Sequence, residues 1–348
     1  MIRERKVKGR KPVSFYLVSL ILLIMLSSLF VNKARAVSEA AVKETVSADK
    51  SSKKLVYLVS DSRIPFWSIM ARGIKNQTDA LGYELEVMSA ENSARQELEN
   101  VVKALKNKVS GIIVSPTTSS ACATILRFAK QAGIPVVISD IGTDAGEYIS
   151  YISSDNKQGA YEIGKVLTRK MHQLKWQQGT VGIIAIPQKR LNGQARTAGF
   201  MQALDEAGIK GADLKQQSSF SEHETYTFSK NIIENHADIR AVWLQGSNRY
   251  KGALRAIEEA GKKDDILLIT FDAEPEFLEL IPQGVLVGSA MQQPYLMGEE
   301  AVIAMHRSLK GMSVEKNIQL PILAISDDNI KEKLTIIKRN VLGITSRE

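Results

Sequence analysis

From residue 55 onward the chain alternates two hydrophobic patterns. Short β-branched runs such as VGIIAI (181–186) and ILLITF (266–271) are apolar without alternation, as in strands buried on both faces of a parallel sheet. Between them lie longer stretches whose apolar positions follow i, i+3, i+4, i+7 spacing, as in Leu98, Val101, Val102 and Leu105. The first half predicts strands at 55–60, 84–88, 111–115, 135–139 and 149–153, with helices at 66–81, 94–107 and 119–132. The second predicts strands at 181–186, 214–218, 241–244, 266–271 and 285–290, with helices at 158–172, 193–207, 222–236, 250–260 and 295–309. Gly82 and Gly133 stand just past two of these helices, where a left-handed residue ends a helix at no steric cost. Two successive βα series predict an α/β protein of two doubly wound parallel-sheet lobes. No residue-level repeat relates the halves, so their similarity is architectural.

The segment ahead of residue 55 follows another pattern. A cationic stretch, Met1–Lys11, precedes an apolar run at 15–31 and then Ala34-Arg35-Ala36. This is the layout of a secretory signal (1–36) cleaved after Ala36, which exports the protein from the cytoplasm. The alternative is an uncleaved anchor, since 17 apolar residues is close to the shortest membrane span. No cysteine lies near the junction to carry a lipid. Residues 37–53 are small, polar and aperiodic, a flexible lead-in.

Charge changes the picture by where it sits. The 348 residues carry a net +8, but residues 1–36 hold eight Lys/Arg and one acid, which leaves 38 basic and 37 acidic residues in the body. Nothing there attracts a nucleic acid. The single cysteine, Cys122, excludes an internal disulfide and falls on a helix pattern as a core residue.

Catalytic signatures are missing. No G-x-G-x-x-G, Walker-type loop, H-E-x-x-H or nucleophile elbow occurs, and the four histidines share no metal-ligand spacing. No enzyme, metal or cofactor is therefore expected. What the chain does offer lies after the strands, where open α/β sheets bind ligands. There stand Ser60 to Trp67, Asp140, Arg196 to Phe200, Phe220, Gln245-Gly246-Ser247-Asn248, Asp272 and Gln292-Gln293-Pro294. Aromatic faces with Asp, Arg and Gln suit a small polyhydroxylated ligand: rings cover its C–H face and charged groups bond its hydroxyls. Singly, Asp140 and Asp272 also suit helix caps or turns, Arg196 a solvated helix, and Phe66 and Trp67 a core.

Taken in order, VSDSRIPFW with ARGI, LGYELEV, GIIVSPT, AGIPVVISD, YISSDNKQGAYEIG, RTAGF, DIRAVW with KGALRAIEEAG, LLITFDAEPE and AMQQPYLMGEEAV resemble the type I periplasmic binding proteins, specifically the ribose-binding-protein-like sugar binders, over about residues 54–325. The resemblance implies ligand contacts at Ser60, Phe66, Trp67, Asp140, Arg196, Phe220, Asp272 and Gln292. It makes Phe66 and Trp67 a stacking face, Asp140 and Asp272 hydroxyl acceptors on opposite sides, and Arg196 and Gln292 donors. Three positions depart from the ribose pattern and imply altered specificity: Ile64 in place of an Asn, Ile141 in place of the Arg after the Asp, and Gly246 in place of an Asn. A deoxy, methylated or furanosyl sugar, or a less polar metabolite, then fits better than ribose.

The family also implies two lobes, 54–154 with 293–320 and 155–292 with 321–348, joined by a multi-strand hinge. The hinge crossovers are expected near Ser153–Asn156, Gln292–Pro294 and Leu320–Ile322. Hinge closure is what a membrane partner recognises. That partner is expected to be the permease of an ABC importer, the alternative being a sensor kinase or chemoreceptor, and the protein itself a monomer. Residues 326–345 extend past the usual end, and Ser326 with Asn329-Ile330 predicts a cap and a short amphipathic helix packed on a lobe.

Overall fold

The computed structural model describes residues 53–344, so the expected signal at 1–36 and nearly all of the 37–53 lead-in lie outside the described residues. Two six-stranded sheets organise the rest. The first uses β1 (Lys54–Val59), β2 (Glu84–Ser89), β3 (Gly111–Ser115), β4 (Val136–Ser139), β5 (Ser150–Ser154) and β11 (Asn317–Leu320), in the order β11-β5-β4-β3-β1-β2, all parallel. The second uses β6 (Thr180–Ala185), β7 (Lys210–Gln216), β8 (Ile239–Leu244), β9 (Leu267–Phe271), β10 (Gly288–Met291) and β12 (Leu323–Ser326), in the order β12-β10-β9-β8-β6-β7. Both show the same doubly wound order, with the first strand of each series between the second and the third.

Each sheet is buried on both faces, and the period-2 geometry of a strand divides its side chains between them. In β1, Leu55, Tyr57 and Val59 enter one apolar cluster with Met70 and Met305, while Val56 and Leu58 enter another with Val101 and Ile125. In β8, Ala241 and Trp243 pack with Phe200, and Val242 and Leu244 pack with Tyr250 and Phe277. Cys122 is a buried free thiol of the first lobe's core.

The helices are α1 (Pro65–Ala80), α2 (Ala94–Lys106), α3 (Ser119–Gln131), α4 (Asn156–Gln173), α5 (Leu191–Glu206), α6 (Glu222–Asn235), α7 (Tyr250–Glu259), α8 (Phe277–Leu280), α9 (Pro294–Leu309) and α10 (Ile330–Ile336). None among the described residues is long and apolar enough to cross a membrane. Side chains of Ser93, Thr118, Asp155 and Ser221 cap α2, α3, α4 and α6. By contrast α1, α5 and α7 start at Ile64, Arg190 and Arg249 with no side-chain cap. Helices α1 and α9 cross where glycines let their backbones meet. A Cβ on Gly73 would lie 2.1 Å from the Tyr295 carbonyl oxygen, and one on Gly298 would lie 2.3 Å from that of Met70. Gly73→Ala is therefore expected to cost about 1–3 kcal/mol by forcing these helices apart, read as a lower Tm with ligand contacts intact.

The chain passes between the sheets three times: after β5, after β10 and between β11 and β12. Several details differ from the sequence pattern. Strand β7 starts four residues earlier than expected because this edge strand is half exposed, so KGADLKQ carries no apolar run. Strand β10 begins at Gly288, since Val285 and Leu286 still bond back to Leu280 O at the end of α8. Strand β12 pairs antiparallel with β10, so the second sheet is mixed at its edge. The C-terminal helix does form after Asn329, but the segment touches both lobes. Ile337, Val341 and Leu342 join the second lobe's core. Arg72 donates to the Leu342 carbonyl at 2.6 Å, and Arg339 pairs with Glu299 at 2.7 Å on the first.

Candidate functional site

The carboxyl ends of both sheets face one common cleft, as the strand-end rule for open α/β sheets requires. Seven of the eight expected contacts line it: Phe66, Trp67, Asp140, Arg196, Phe220, Asp272 and Gln292, together with Ile64 and Gly246. Ser60 and Ile141 do not. Ser60 is fully buried and its hydroxyl finds no partner, and Ile141 is fully buried in the core around Trp67 and Val59. Between Ile141 and the end of β4, Asp140 turns the chain with a left-handed φ of +69.

Asp272 repeats that device in the other sheet with φ +68, and Phe220 does so with φ +54. Non-glycine residues in this region are strained and gather at functional sites. The two aspartates are placed equivalently: each follows the fourth strand of its βα series, and its amide donates to the next strand, to Ile152 O and Ala290 O respectively. Neither is a helix cap. Trp67 Nε1 donates to Asp140 Oδ2 at 3.1 Å, and Gln292 Nε2 donates to Asp272 Oδ1 at 2.7 Å.

Burial pushes the Asp140 carboxyl up to about 6; Arg196 and Arg190 hold it down and Asp272 pushes it further up. Burial likewise raises Asp272 against the pull of Arg196.

One expected role changes and two are narrowed. Phe66 and Trp67 meet edge-to-face, with centroids 6.2 Å apart at 77°, so they form a corner rather than one stacking face. Arg196 already gives Nε to Asn156 Oδ1 and Nη1 to Gln245 O, both at 2.8 Å, while its guanidinium covers the Phe271 ring at 3.8 Å. Its Nη1 lies 3.8 Å from Asp272 Oδ2, and its Nη2 takes part in neither of those hydrogen bonds. Gln292 gives one amide N–H to Asp272, and its buried oxygen is left without a partner, so it offers an acceptor beside its second N–H.

The reading of strand ends passed over Arg190, Asn192 and Arg249, which also line the cleft. Arg190 reaches across from the second sheet, giving Nε to Thr117 O and Nη2 to Asn92 Oδ1, each at 3.2 Å. Asn192 approaches Asp140 Oδ1 at 3.4 Å. These residues follow β6 and β8 as the strand-end rule requires; their usable signal was an Arg at a helix start, where a capping side chain is normal. Among the described residues no cluster of three or more His, Cys, Asp or Glu is placed to hold a metal.

The model of the periplasmic binding protein domain family matches residues 55–313. The chain is 30% identical over 283 residues to the ribose import binding protein of Escherichia coli, covering 81% of this chain and 94% of that one. It is 24% identical over 274 residues to a D-apiose import binding protein of Paraburkholderia graminis, covering 78% and 86%. In fold it is similar to a carbohydrate transporter solute binding protein from Agrobacterium radiobacter, solved in complex with D-arabinose. The TM-score is 0.77 at 21% identity, covering 84% of this chain and 99% of that one.

Proposed function

The chain belongs to the periplasmic binding protein domain family, and on that premise we propose that it captures a sugar-like small molecule between its lobes and delivers it to an ABC importer. The observation that carries this reading is the cleft itself, where Asp140 and Trp67 of one sheet and Asp272, Arg196 and Phe220 of the other line a single space. Carboxylates on opposite walls accept hydroxyl hydrogen bonds, and the Phe66–Trp67 corner with Phe220 covers the apolar face of a ring. Ile64 and Gly246 lack the donors a ribose pattern would supply. The ligand is therefore a sugar with fewer or differently placed hydroxyls.

Function in the periplasm follows from the family. Export by a signal cleaved after Ala36, and action as a monomer that binds without turning its ligand over, complete the reading. The moving bodies are 54–154 with 293–320 and 155–292 with 321–348, pivoting where the chain crosses between sheets. Closure brings Arg190 and Asn192 onto the first lobe, so a bound ligand is enclosed and the importer meets one defined surface.

A thermal-shift screen of sugars tests this. At about 100-fold over Kd the cognate ligand is expected to add roughly 2.7 kcal/mol of stability. Trp67→Ala, which removes an aromatic wall and an Asp140 partner, is expected to erase most of that shift. A screen in which no sugar or sugar derivative shifts Tm would sink the proposal.

A further inference from the structure

Arg190, Arg196 and Arg249 line the cleft against Asp140 and Asp272, with Glu97 near Arg190 and Glu224 and Glu274 near Arg249 behind the lining. Arg196 is near Asp272, but neither Arg190 nor Arg249 has a carboxylate within ion-pair distance among the described residues. Arg249 is the least satisfied. It is 5% exposed, its Nε has no partner, and its one hydrogen bond is a long one of 3.4 Å to Phe220 O.

The carboxylates whose charge reaches Arg249 are held by other groups. Asp272 is bonded by Gln292, Glu224 by the amides of Ser218 to Phe220, and Glu274 by Ser247. Burial pushes Glu274 up to about 7 and draws Arg249 down to about 10.

The surroundings add to the field. Arg190 and Arg249 stand at the N-caps of α5 and α7, where the helix dipole is positive and a cation is disfavoured unless an anion joins it. Their guanidiniums flank the Phe220 ring at 5.4 and 5.0 Å. The Arg249 seat is made by a missing side chain: a Cβ on Gly246 would lie 2.8 Å from Arg249 Nη2. The position that lost a neutral donor thus makes room for a cation.

We propose that the ligand carries an anionic group, a carboxylate or a phosphate ester, on its polyhydroxylated skeleton, and that Arg249 is the residue that selects it, with Arg190 beside it. This rests on the reading of the cleft as a sugar site. The hydroxyls face Asp140 and Asp272, and the anion faces the α7 end, where it supplies Arg249 with the direct ionic partner it lacks.

Calorimetry and thermal shift with matched pairs test the proposal: D-glucuronate against D-glucose, D-galacturonate against D-galactose, and D-ribose 5-phosphate against D-ribose. At least one anion is expected to bind tenfold or more tightly than its neutral parent, and the pair that does so identifies carboxylate or phosphate. Arg249→Met is expected to reduce that ratio at least tenfold and Arg249→Lys to keep most of it, with ligand-free melting curves confirming that both variants fold. Neutral parents that bind as tightly as their anions, or a ratio unchanged in Arg249→Met, overturn the inference while the sugar-binding function stands. No shift with any anion or neutral sugar overturns both.

Discussion

Asp140→Asn is expected to abolish ligand-dependent stabilisation while leaving the ligand-free protein at least as stable at pH 7.5. Burial places this carboxyl's folded pKa near 6, above its ordinary 3.8, even though Arg196 and Arg190 attract the ionised form. Between those values the folded state binds more protons than the unfolded one, so stability falls as pH rises through the window. Keeping the ionised form at neutral pH costs about 3 kcal/mol. An amide avoids that cost, and Asn tolerates the left-handed backbone at φ +69.

Ligand hydroxyls, in contrast, donate to the ionised carboxylate. Affinity of the wild type is therefore expected to weaken as pH drops below about 6, approaching tenfold per unit. Titration calorimetry from pH 5 to 8, beside melting curves of both proteins, checks both statements. Binding retained within tenfold in Asp140→Asn removes this carboxylate from the ligand contact.

Arg196→Ala is expected to strike the fold and the cleft together. The side chain is 3% exposed and ties the first crossover, through Asn156, to the loop after β8, through Gln245. Its removal leaves an amide oxygen, a carbonyl and the Asp272 carboxylate without their cation in a water-poor site. Breaking a buried charge cluster from one side costs about 3–5 kcal/mol. Urea unfolding is expected to show a lower midpoint at unchanged m-value, and Asp272, freed of Arg196, to hold its proton to higher pH. Arg196→Lys restores a charge but not the planar fork that serves Asn156 and Gln245 at once, so it recovers only part of the loss. A stability change below about 1 kcal/mol in Arg196→Ala shows the cluster to be peripheral.

Much of the architecture was legible because it rests on local pattern. Apolar runs mark strands covered on both faces, and β1 and β8 show how such a run feeds two clusters at once. Asp140, Asp272, Phe66, Trp67, Phe220 and Gln292 were legible as cleft residues because a strand's carboxyl end has a fixed place in a doubly wound sheet. Edges were harder. Half-exposed β7 and four-residue β11 and β12 have too little apolar pattern to stand out, and β12 takes its direction from β10.

The order of the ten main strands and the long helices, the doubled lobe and part of the cleft's rim thus followed from the amino-acid sequence, since hydrophobic period and strand-end position are local properties that survive folding unchanged. Side-chain direction is not local. Only the tertiary structure turned Ile141 and Ser60 inward, committed Arg196 to Asn156 and Gln245, and seated Arg249 in the space left at Gly246. Each of those outcomes depends on what a distant segment brings to the same few ångströms, where burial and competition for hydrogen-bond partners decide which polar groups remain for a ligand.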